Sequence, residues 1–291
     1  MPELPEVETT VRDLKKKVLS RTFIDVWADS KKNIKKPGKF EVFKKEIKGR
    51  KINEVGRRGK NILIFLSGDK TLLIHQKLTG HLLLGKWRLK DGSWMPLLKG
   101  PLEEPVNKFI HLVFWLSGDL MLALSDLRKF AKIELWDSKE LECSEVFRKL
   151  GPDPLNKDFT FKKFEEALKN KRGKIKKVLM DQNVIAGIGN IYSDEILWEA
   201  KIHPLKEVSR LSKQELKKIY LAMKKILQKA IILKGDSMSD YRLLTGEKGD
   251  YQEVQKVYQR EGKGCPWCGG TIKRVKINGR SAHYCPQCQK L

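Results

Sequence analysis

The first residues of the chain, Met1-Pro-Glu-Leu-Pro-Glu-Val-Glu8, combine groups that could perform covalent chemistry. A small second residue allows the initiator Met1 to be removed, which would leave Pro2 as a free secondary amine. Such an amine attacks carbonyl carbons and forms a Schiff base, and Glu3 beside it could transfer protons. An ordinary helix start is the alternative, since Pro5 suits a first turn. Apolar residues at helical spacing then predict one buried face: Val7, Val11, Leu14 and Val18.

Four cysteines near the C-terminus have the spacing of a metal site. Cys265-Pro-Trp-Cys268 and Cys285-Pro-Gln-Cys288 each place two thiolates within reach of one tetrahedral ion, as in a four-cysteine zinc ribbon. So short a segment has too little core to fold alone, so we expect one structural Zn²⁺ as the cofactor. An iron–sulfur site is the alternative, but no other feature suggests redox chemistry. Cys143 stands apart and is predicted to be a buried structural thiol.

Several glycine-containing and basic segments could bind phosphate. Gly187-Ile-Gly-Asn190 resembles a helix start with free N–H groups, although short glycine turns usually only reverse the chain. Lys171 belongs to a basic run that could be a solvated face or could line a phosphate track. In Gly56-Arg-Arg-Gly-Lys60, Lys60 could hold a phosphate or carry protons.

Other side chains could read or distort a nucleic acid. In Asp126-Leu-Arg128-Lys-Phe130, the arginine could reach a base edge and the phenylalanine could wedge the base stack. Taken alone, Phe130 is more often a core residue, and His75 is equally consistent with a hydrogen-bonded structural role. Arg280 lies among basic residues between the cysteine pairs, where it could point into DNA or lie on a solvated turn.

The charge of the chain indicates the class of its partner. Its formal net charge is +24, which attracts polyanions: nucleic acid first and an anionic membrane second. A ribosomal or nonspecific nucleic-acid binder would have the same property. No apolar run approaches the length of a membrane span and no signal peptide precedes the core. The cysteine pattern favours a reducing compartment, so we expect a soluble intracellular protein.

Strand patterns dominate from about residue 20 to residue 137. Two pairs of apolar segments flank Ser-Gly-Asp turns and predict β-hairpins inside a sandwich: Asn61–Leu66 with Thr71–Gln76, and Phe109–Leu116 with Leu120–Leu124. The stretch between Lys86 and Asn107 is rich in glycine, proline and lysine and is predicted to be a long exposed loop.

The pattern becomes helical from about residue 143 to residue 234. Thr160 is predicted to cap one helix, and Ser212–Leu233 is predicted to be a long basic amphipathic helix. The segment Gly235–Glu253 is polar and is predicted to be a mobile loop before a small C-terminal unit. The expected domains are therefore 1–137 (N-terminal β-sandwich), 138–234 (helical domain) and 235–291 (mobile loop and zinc finger).

Together these motifs resemble the bacterial formamidopyrimidine-DNA glycosylase family, which shares its fold with endonuclease VIII. The resemblance extends from Pro2 to Gln289, and Leu4 favours the formamidopyrimidine branch over the Pro-Glu-Gly-Pro-Glu start that is usual in endonuclease VIII. Its most specific elements are four: Pro2-Glu-Leu-Pro-Glu-Val-Glu8, Gly189-Asn-Ile-Tyr192, Val257-Tyr-Gln-Arg-Glu-Gly262, and Gly279-Arg280 before Tyr284-Cys285.

The resemblance implies an α+β multidomain fold with an N-terminal β-sandwich and flanking helix, a helix–two-turn–helix domain and a C-terminal zinc-finger hairpin. The implied activity is that of a bifunctional DNA glycosylase and apurinic-site lyase. It would remove 8-oxoguanine and formamidopyrimidines through a Schiff base and cleave the strand by β,δ-elimination. The implied partner is double-stranded DNA with oxidised bases or abasic sites, bound by a cytoplasmic, nucleoid-associated monomer.

The resemblance also implies roles for individual residues. The catalytic residues would be Pro2 as the nucleophile at the sugar C1′, Glu3 for proton transfer, Lys60 at a phosphate and in elimination, and Arg280 at the phosphates and in later elimination. The DNA-binding residues would be His75, Leu78, Phe109, Arg128, Phe130, Lys171 and Asn190. Among these, Leu78, Arg128 and Phe130 would fill the gap left by the extruded base, with Arg128 paired to the orphaned cytosine.

The chain departs from the family pattern near the expected DNA contacts. Leu78 replaces a common methionine, and Leu127-Arg-Lys-Phe-Ala131 replaces Pro-Arg-Arg-Phe-Gly. Phe109 occupies the place of a frequent histidine, whereas His111 matches the second histidine of that pattern. The insertion 86–107 is longer than usual. These differences bear on the lesion preference rather than on the chemistry of Pro2 and Glu3. The alternatives are an oxidised-pyrimidine glycosylase of the endonuclease VIII type and a non-catalytic lesion-binding homologue.

Overall fold

The structure, a computed structural model, describes residues 1–29 and 31–291. The chain divides into two compact units. Unit 1 contains residues 1–148 and 233–252, and unit 2 contains residues 149–232 and 253–291. Residues 233–252 therefore group with the N-terminal residues. We had expected residues from 235 onward to group with the zinc finger.

Unit 1 is built mainly of strands. Its helices are α1 (Leu4–Val18), α2 (Phe40–Ile47), α3 (Ser138–Cys143) and α4 (Glu145–Arg148). Its strands are β1 (Phe23–Ala28), β2 (Ile34–Lys36), β3 (Ile52–Arg58), β4 (Asn61–Leu66), β5 (Lys70–His75), β6 (His81–Gly85), β7 (Trp87–Lys90), β8 (Ser93–Pro96), β9 (Ile110–Leu116), β10 (Leu120–Ser125) and β11 (Lys132–Asp137).

Two sheets form the predicted sandwich. One has the strand order β1-β9-β10-β6 and the other has the order β2-β11-β5-β4-β3. Alternate residues of both sheets point inward, as the two-residue period of a strand requires, and they share one apolar core with one face of α1. That face contains the predicted stripe Val7, Val11, Leu14 and Val18. The α+β class and the flanking helix are confirmed.

Both predicted hairpins are confirmed, β4 with β5 and β9 with β10. Their turns contain Gly68 and Asp69, with φ of 70° and 53°, and Gly118 and Asp119, with φ of 77° and 55°. This left-handed conformation is costly for most residues, and glycine, asparagine and aspartate adopt it most readily. The Ser-Gly-Asp sequence therefore determines where each strand reverses.

The prediction of a long exposed loop at 86–107 is wrong for its first half. Strands β7 and β8 form a hairpin whose Trp87 and Trp94 are buried, 5% and 8% exposed. These indoles join a second apolar cluster on the outer face of the sheet, beside Trp27 and Trp115. The hairpin therefore covers a sheet face that would otherwise leave large aromatic rings in water.

The predicted mobile loop belongs almost entirely to unit 1 and contains little regular structure before the 3₁₀ turn Tyr251–Val254. Tyr241 and Leu244 are 3% and 1% exposed, and Leu84 donates its backbone N–H to Leu244 O at 2.7 Å. Arg242 forms an ion pair with Glu104 at 2.9 Å. The segment is therefore held by packing and hydrogen bonds despite its polar composition.

Unit 2 contains the helices α5 (Phe161–Leu168), α6 (Ile175–Met180), α7 (Asn190–Glu199) and α8 (Lys213–Ile232) and the strands β12 (Lys273–Ile277) and β13 (Arg280–Tyr284). Thr160 caps α5 as predicted, since its hydroxyl accepts the Lys163 N–H at 3.4 Å. Helix α8 matches the predicted Ser212–Leu233 helix within one residue at each end.

Two further observations concern the remaining predictions. Cys143 is exposed at the end of α3, so the prediction of a buried thiol is wrong. Among the residues that the structure describes, no helix combines the length and the apolar character needed to cross a membrane.

Candidate functional site

The start of α1 places Pro2 and Glu3 in a buried position. Pro2 is buried and Glu3 is 2% exposed. The Glu3 N–H donates to Glu6 Oε2 at 2.7 Å, and Glu6 Oε1 accepts the Asp236 N–H at 2.8 Å. Tyr241 donates its hydroxyl to Glu6 O at 3.2 Å. Glu6 therefore connects the N-terminal end of α1 to the 233–252 segment. Our sequence reasoning missed this bridge, and the Glu3-x-x-Glu6 spacing of a capping box was the available signal.

Lys60 lies in the turn between β3 and β4 and is 7% exposed. The turn is attached to α1, because Arg57 donates to Glu8 Oε2 at 2.9 Å and to Gly59 O at 3.0 Å. Burial alone would raise the pKa of Glu8, but the guanidinium groups of Arg57 and Arg12 lower it overall. This charged link sets the position of the Lys60 turn relative to the helix that carries Pro2.

His75, at the end of β5, is a neutral side chain. Loss of hydration is the main cause that lowers its pKa to about 3, and the positive charges of Lys77, Lys60 and Lys132 add to it. Its Nδ1 accepts the Lys77 N–H at 3.0 Å. The ring proton therefore resides on Nε2, which makes His75 a neutral hydrogen-bond donor at physiological pH.

The connections β5–β6 and β10–β11 present the predicted wedge residues. Phe130 is 51% exposed, and the guanidinium carbon of Arg128 lies 4.8 Å from the centre of its ring. Leu78, in the other connection, is half-buried. An exposed aromatic ring stacked on an arginine is available to insert between bases. The structure therefore does not place Phe130 in the core.

The predicted contact Phe109 precedes β9, and His111, which matches the second histidine of the family pattern, lies within that strand. Phe109 is 37% exposed. His111 is paired with Asp29, with Nδ1 2.8 Å from Oδ2. The histidine that matches the family pattern therefore has an intramolecular carboxylate partner.

In unit 2, a glycine turn leads into α7. Gly187 has a φ of 101°, and Asn190 occupies the first turn of the helix. The Asn190 Oδ1 atom is buried and has no hydrogen-bond partner among the described residues. Lys171, after α5, is exposed. The N-terminal end of a helix favours an anion through the helix dipole, and the unpartnered Asn190 Oδ1 lies at this end.

Two buried carboxylates on α7 hold the C-terminal segment, and our sequence reasoning missed both. Asp194 pairs with Lys176 at 2.5 Å and accepts the N–H and the Nδ1 of His283, each at 2.9 Å. Glu195 accepts three consecutive backbone N–H groups at 2.9 to 3.1 Å: those of Lys256, Val257 and Tyr258. The signal in the sequence was the adjacent acidic pair Asp194-Glu195 directly before the apolar run Ile196-Leu-Trp198.

Arg280 begins β13 directly after the hairpin turn. Asn278 and Gly279 have φ of 46° and 79°, which matches the Asn-Gly turn that tight hairpins prefer. Arg280 is exposed, and Lys176 donates to the neighbouring Ser281 O at 2.7 Å. The arginine is therefore presented on a hairpin that is attached to the helices of unit 2.

The four cysteines form a metal site. Their sulfur atoms all lie within 4.8 Å of one another, with Cys268 and Cys285 3.5 Å apart and Cys265 and Cys288 3.9 Å apart. Zn–S bonds of about 2.3 Å in a tetrahedron require S···S separations of about 3.8 Å. Burial opposes ionisation of Cys265, but hydrogen bonds, including one from the Trp198 indole, lower its pKa to about 7. The donor set fits one structural Zn²⁺.

The predicted site residues are distributed over both units. Unit 1 contains Pro2, Glu3, Lys60, His75, Leu78, Phe109, Arg128 and Phe130. Unit 2 contains Lys171, Asn190, Arg280, Cys265, Cys268, Cys285 and Cys288. The candidate nucleophile and wedge thus belong to the sandwich, and the phosphate-binding candidates other than Lys60 belong to the helical and metal-binding unit.

Three family models match the chain. Residues 1–133 match the formamidopyrimidine-DNA glycosylase N-terminal domain, and residues 150–242 match the H2TH domain of the same enzymes. Residues 262–291 match a zinc finger found in formamidopyrimidine-DNA glycosylase and isoleucyl-tRNA synthetase. These matches cover most of the chain.

Known proteins are similar to the chain over its full length. A formamidopyrimidine-DNA glycosylase of Heliobacterium modesticaldum is 39% identical, with 100% of each chain covered. One of Streptococcus mutans is 38% identical with the same coverage. The Lactococcus lactis enzyme bound to abasic-site DNA is 36% identical, with a TM-score of 0.86 and 99% and 100% of the two chains covered. The same enzyme in complex with Fapy-dG-containing DNA is 35% identical, with a TM-score of 0.85 and 99% and 100% of the two chains covered.

Proposed function

Because the chain belongs to the formamidopyrimidine-DNA glycosylase family, we propose that it is a bifunctional DNA glycosylase and apurinic-site lyase. Its proposed substrates are oxidised purines, 8-oxoguanine and formamidopyrimidines, in double-stranded DNA. The observation that carries this proposal is the buried Pro2-Glu3 pair at the start of α1, joined through Glu8 and Arg57 to the turn that contains Lys60. A protein that only binds DNA has no need for an N-terminal secondary amine.

The proposed reaction begins after removal of Met1. The Pro2 nitrogen attacks C1′ of the damaged nucleotide, and the bond from C1′ to the base breaks, so that the base leaves with the electron pair and gains a proton. The nitrogen gives up its proton, its lone pair forms the C=N bond as the C1′–O4′ bond breaks, and O4′ gains a proton. Glu3 would handle the protons of base loss and of this ring opening. The resulting iminium ion acidifies the C2′ protons, so the 3′ phosphate leaves by β-elimination and the 5′ phosphate by δ-elimination. Lys60 and Arg280 assist these eliminations at the phosphates.

Access to C1′ requires the base to leave the stack, which costs a few kcal/mol. The exposed Phe130, the stacked Arg128 and the half-buried Leu78 are suited to fill the gap and offset that cost. We assign Arg128 to the orphaned cytosine, since guanidinium groups read base edges. His75 and Phe109 would contact DNA nearby.

Phosphate contacts complete the proposed complex. Asn190 at the start of α7 and the exposed Lys171 and Arg280 would bind backbone phosphates. The net charge of +24 supports salt-dependent attraction to DNA. Zinc would be structural and would keep the Arg280 hairpin folded. We expect a monomer, because a single chain contains every group named here, and we expect it in the cytoplasm with the nucleoid.

Borohydride trapping tests the proposal. The purified protein is incubated with an 8-oxoguanine:cytosine duplex and with an abasic duplex, and the crosslinked peptide is mapped by mass spectrometry. We expect a reduced adduct on Pro2 with both duplexes. Pro2→Gly should abolish the adduct. Pro5→Ala, which alters a proline of the same motif without touching the amine, should retain it.

Other outcomes separate the alternatives. Trapping on abasic DNA alone would support the lyase activity and show that the enzyme's substrate is a lesion other than 8-oxoguanine. Excision of thymine glycol in preference to 8-oxoguanine would indicate the oxidised-pyrimidine activity. Tight lesion binding with no base release in a single turnover, and no adduct on either duplex, would indicate a non-catalytic lesion-binding protein.

A further inference from the structure

We propose that Thr79 is a positioning residue that joins the two wedge connections into one rigid element, and that opposite-base selectivity depends on its hydroxyl. This inference rests on the proposed function, because it concerns how Leu78 on one connection and Arg128 and Phe130 on the other act together. Thr79 itself is 8% exposed, so it is not available as a DNA contact.

The two connections are separate in sequence and are joined by a buried carboxylate. The Thr79 hydroxyl donates to Asp126 Oδ1 at 2.5 Å, and Asp126 is completely buried. Asp126 Oδ2 accepts the Ala131 N–H at 2.7 Å. Asp126 thus holds the β10–β11 connection at Ala131 and accepts a hydrogen bond from Thr79 on the β5–β6 connection.

The same hydroxyl also acts as an acceptor. Thr79 Oγ1 accepts the Arg128 backbone N–H at 3.1 Å. The β5–β6 and β10–β11 connections also approach each other closely at the next residue, Gly80, where an added Cβ atom would lie 3.1 Å from the Ala131 Cβ. Thr79, the neighbour of Leu78, is therefore hydrogen-bonded directly to the backbone of Arg128, the residue assigned to the cytosine.

This geometry has a specific consequence for recognition. The Arg128 side chain is exposed, and its guanidinium group stacks on Phe130 of the same connection. The position of that connection's backbone therefore determines where the guanidinium group reaches. A valine at position 79 would keep the shape of threonine but would remove both the donor to Asp126 and the acceptor for Arg128. The two connections would then move independently. The side chains of Leu78, Arg128 and Phe130 would no longer be held at fixed distances from one another and from the orphaned cytosine.

The test compares Thr79→Val with Thr79→Ser, which retains the hydroxyl. Thr71→Val is the matched control, because Thr71 is also buried, lies on the preceding strand and bonds to Ser138 Oγ at 2.8 Å, outside the wedge. Single-turnover excision is measured with 8-oxoguanine opposite cytosine and opposite adenine, together with cleavage of an abasic duplex. A duplex with a tetrahydrofuran site opposite 2-aminopurine reports wedge insertion by fluorescence and needs no chemistry.

We expect Thr79→Val to excise 8-oxoguanine opposite cytosine about tenfold more slowly, the scale of losing a buried hydrogen bond to a charged group. The preference for cytosine over adenine should narrow and the 2-aminopurine signal should fall, while abasic cleavage stays within about twofold, because no stacked base has to leave. Thr79→Ser should restore all three. Wild-type rates, selectivity and fluorescence in Thr79→Val, or equal losses in Thr71→Val, would overturn the inference. A wild-type protein inactive on every duplex would refute the proposed function, and the fluorescence measurement would still decide the role of Thr79.

Discussion

A single carboxylate, that of Glu195, holds residues 256–258 against helix α7. It is completely buried within α7, and three successive backbone N–H groups of residues 256–258 donate to it. Burial is the main cause that raises its pKa, and the three hydrogen bonds limit that rise. A buried acceptor of this kind is costly to remove, because each donor left behind lacks a partner.

We predict that Glu195→Ala destabilises unit 2 by about 3 kcal/mol, since the buried N–H of Val257 and the partly buried N–H groups of Lys256 and Tyr258 lose their acceptor. Glu195→Gln keeps one acceptor oxygen and should lose less. Urea unfolding followed by tryptophan fluorescence measures the difference. Glu199→Ala is the control, because Glu199 pairs with the exposed Lys225 at the end of the same helix. Equal losses in Glu195→Ala and Glu199→Ala would contradict the assignment.

At the scale of elements, the β7–β8 hairpin is a structural cover for the sandwich. Trp94 lies edge-on to Trp27 and Trp115, with ring centres 5.2 and 5.8 Å apart. We predict that Trp94→Ala costs about 3 kcal/mol of stability, typical of a large-to-small core substitution. Excision at a temperature well below unfolding should be unchanged. Met95→Ala, an exposed position on the same hairpin, should change neither the melting temperature nor the activity. Lost excision in a folded Trp94→Ala protein would instead place the hairpin in DNA binding.

The β12–β13 hairpin depends on its metal. Its small core contains Cys265, Ile272 and Cys285 with Trp198, so little apolar burial remains without zinc. We predict that a strong chelator unfolds this hairpin and abolishes tight DNA binding, while the melting of unit 1 is unchanged. Trp267, 5.5 Å from Trp198, should report the loss by fluorescence, and added Zn²⁺ should restore it. DNA binding that survives verified zinc removal would show that the Arg280 hairpin is dispensable.

The elements that could be predicted from sequence are those whose signals are local. The Ser-Gly-Asp turns, the Thr160 cap and the cysteine spacing each involve residues close in the chain. The hairpin at Trp87 and the segment around Tyr241 could not be predicted, because their partners, Trp115 and Glu6, lie far away in sequence. The Thr79–Asp126 contact escaped prediction for the same reason. The family resemblance indicated the roles of Pro2 and Arg280, but not the residues that hold them.

At the scale of the whole molecule, three histidines with lowered pKa values contribute to the response to acid. The pKa of His75 is lowered to about 3, and burial also lowers the pKa values of His81 and His203. An unfolded histidine titrates near pH 6.5. Below that pH the unfolded chain binds protons that the folded chain does not, so stability decreases as the pH falls.

We predict that the melting temperature of the protein falls between pH 7 and pH 5. His75→Gln should show a shallower decrease over this interval, because glutamine does not titrate. Calorimetry at constant ionic strength measures both slopes. Equal slopes in the two proteins would mean that His75 binds its proton equally well in the folded and unfolded chains.

Cys143 offers an experimental route to the motion of the whole molecule on DNA. It is exposed, whereas the other four cysteines surround one metal site. With zinc bound, a maleimide fluorophore should attach at this one position without any engineered residue, and Cys143→Ser should remain unlabelled. Diffusion of single labelled molecules on stretched DNA could then be recorded, and pauses at lesions could be timed in the natural sequence.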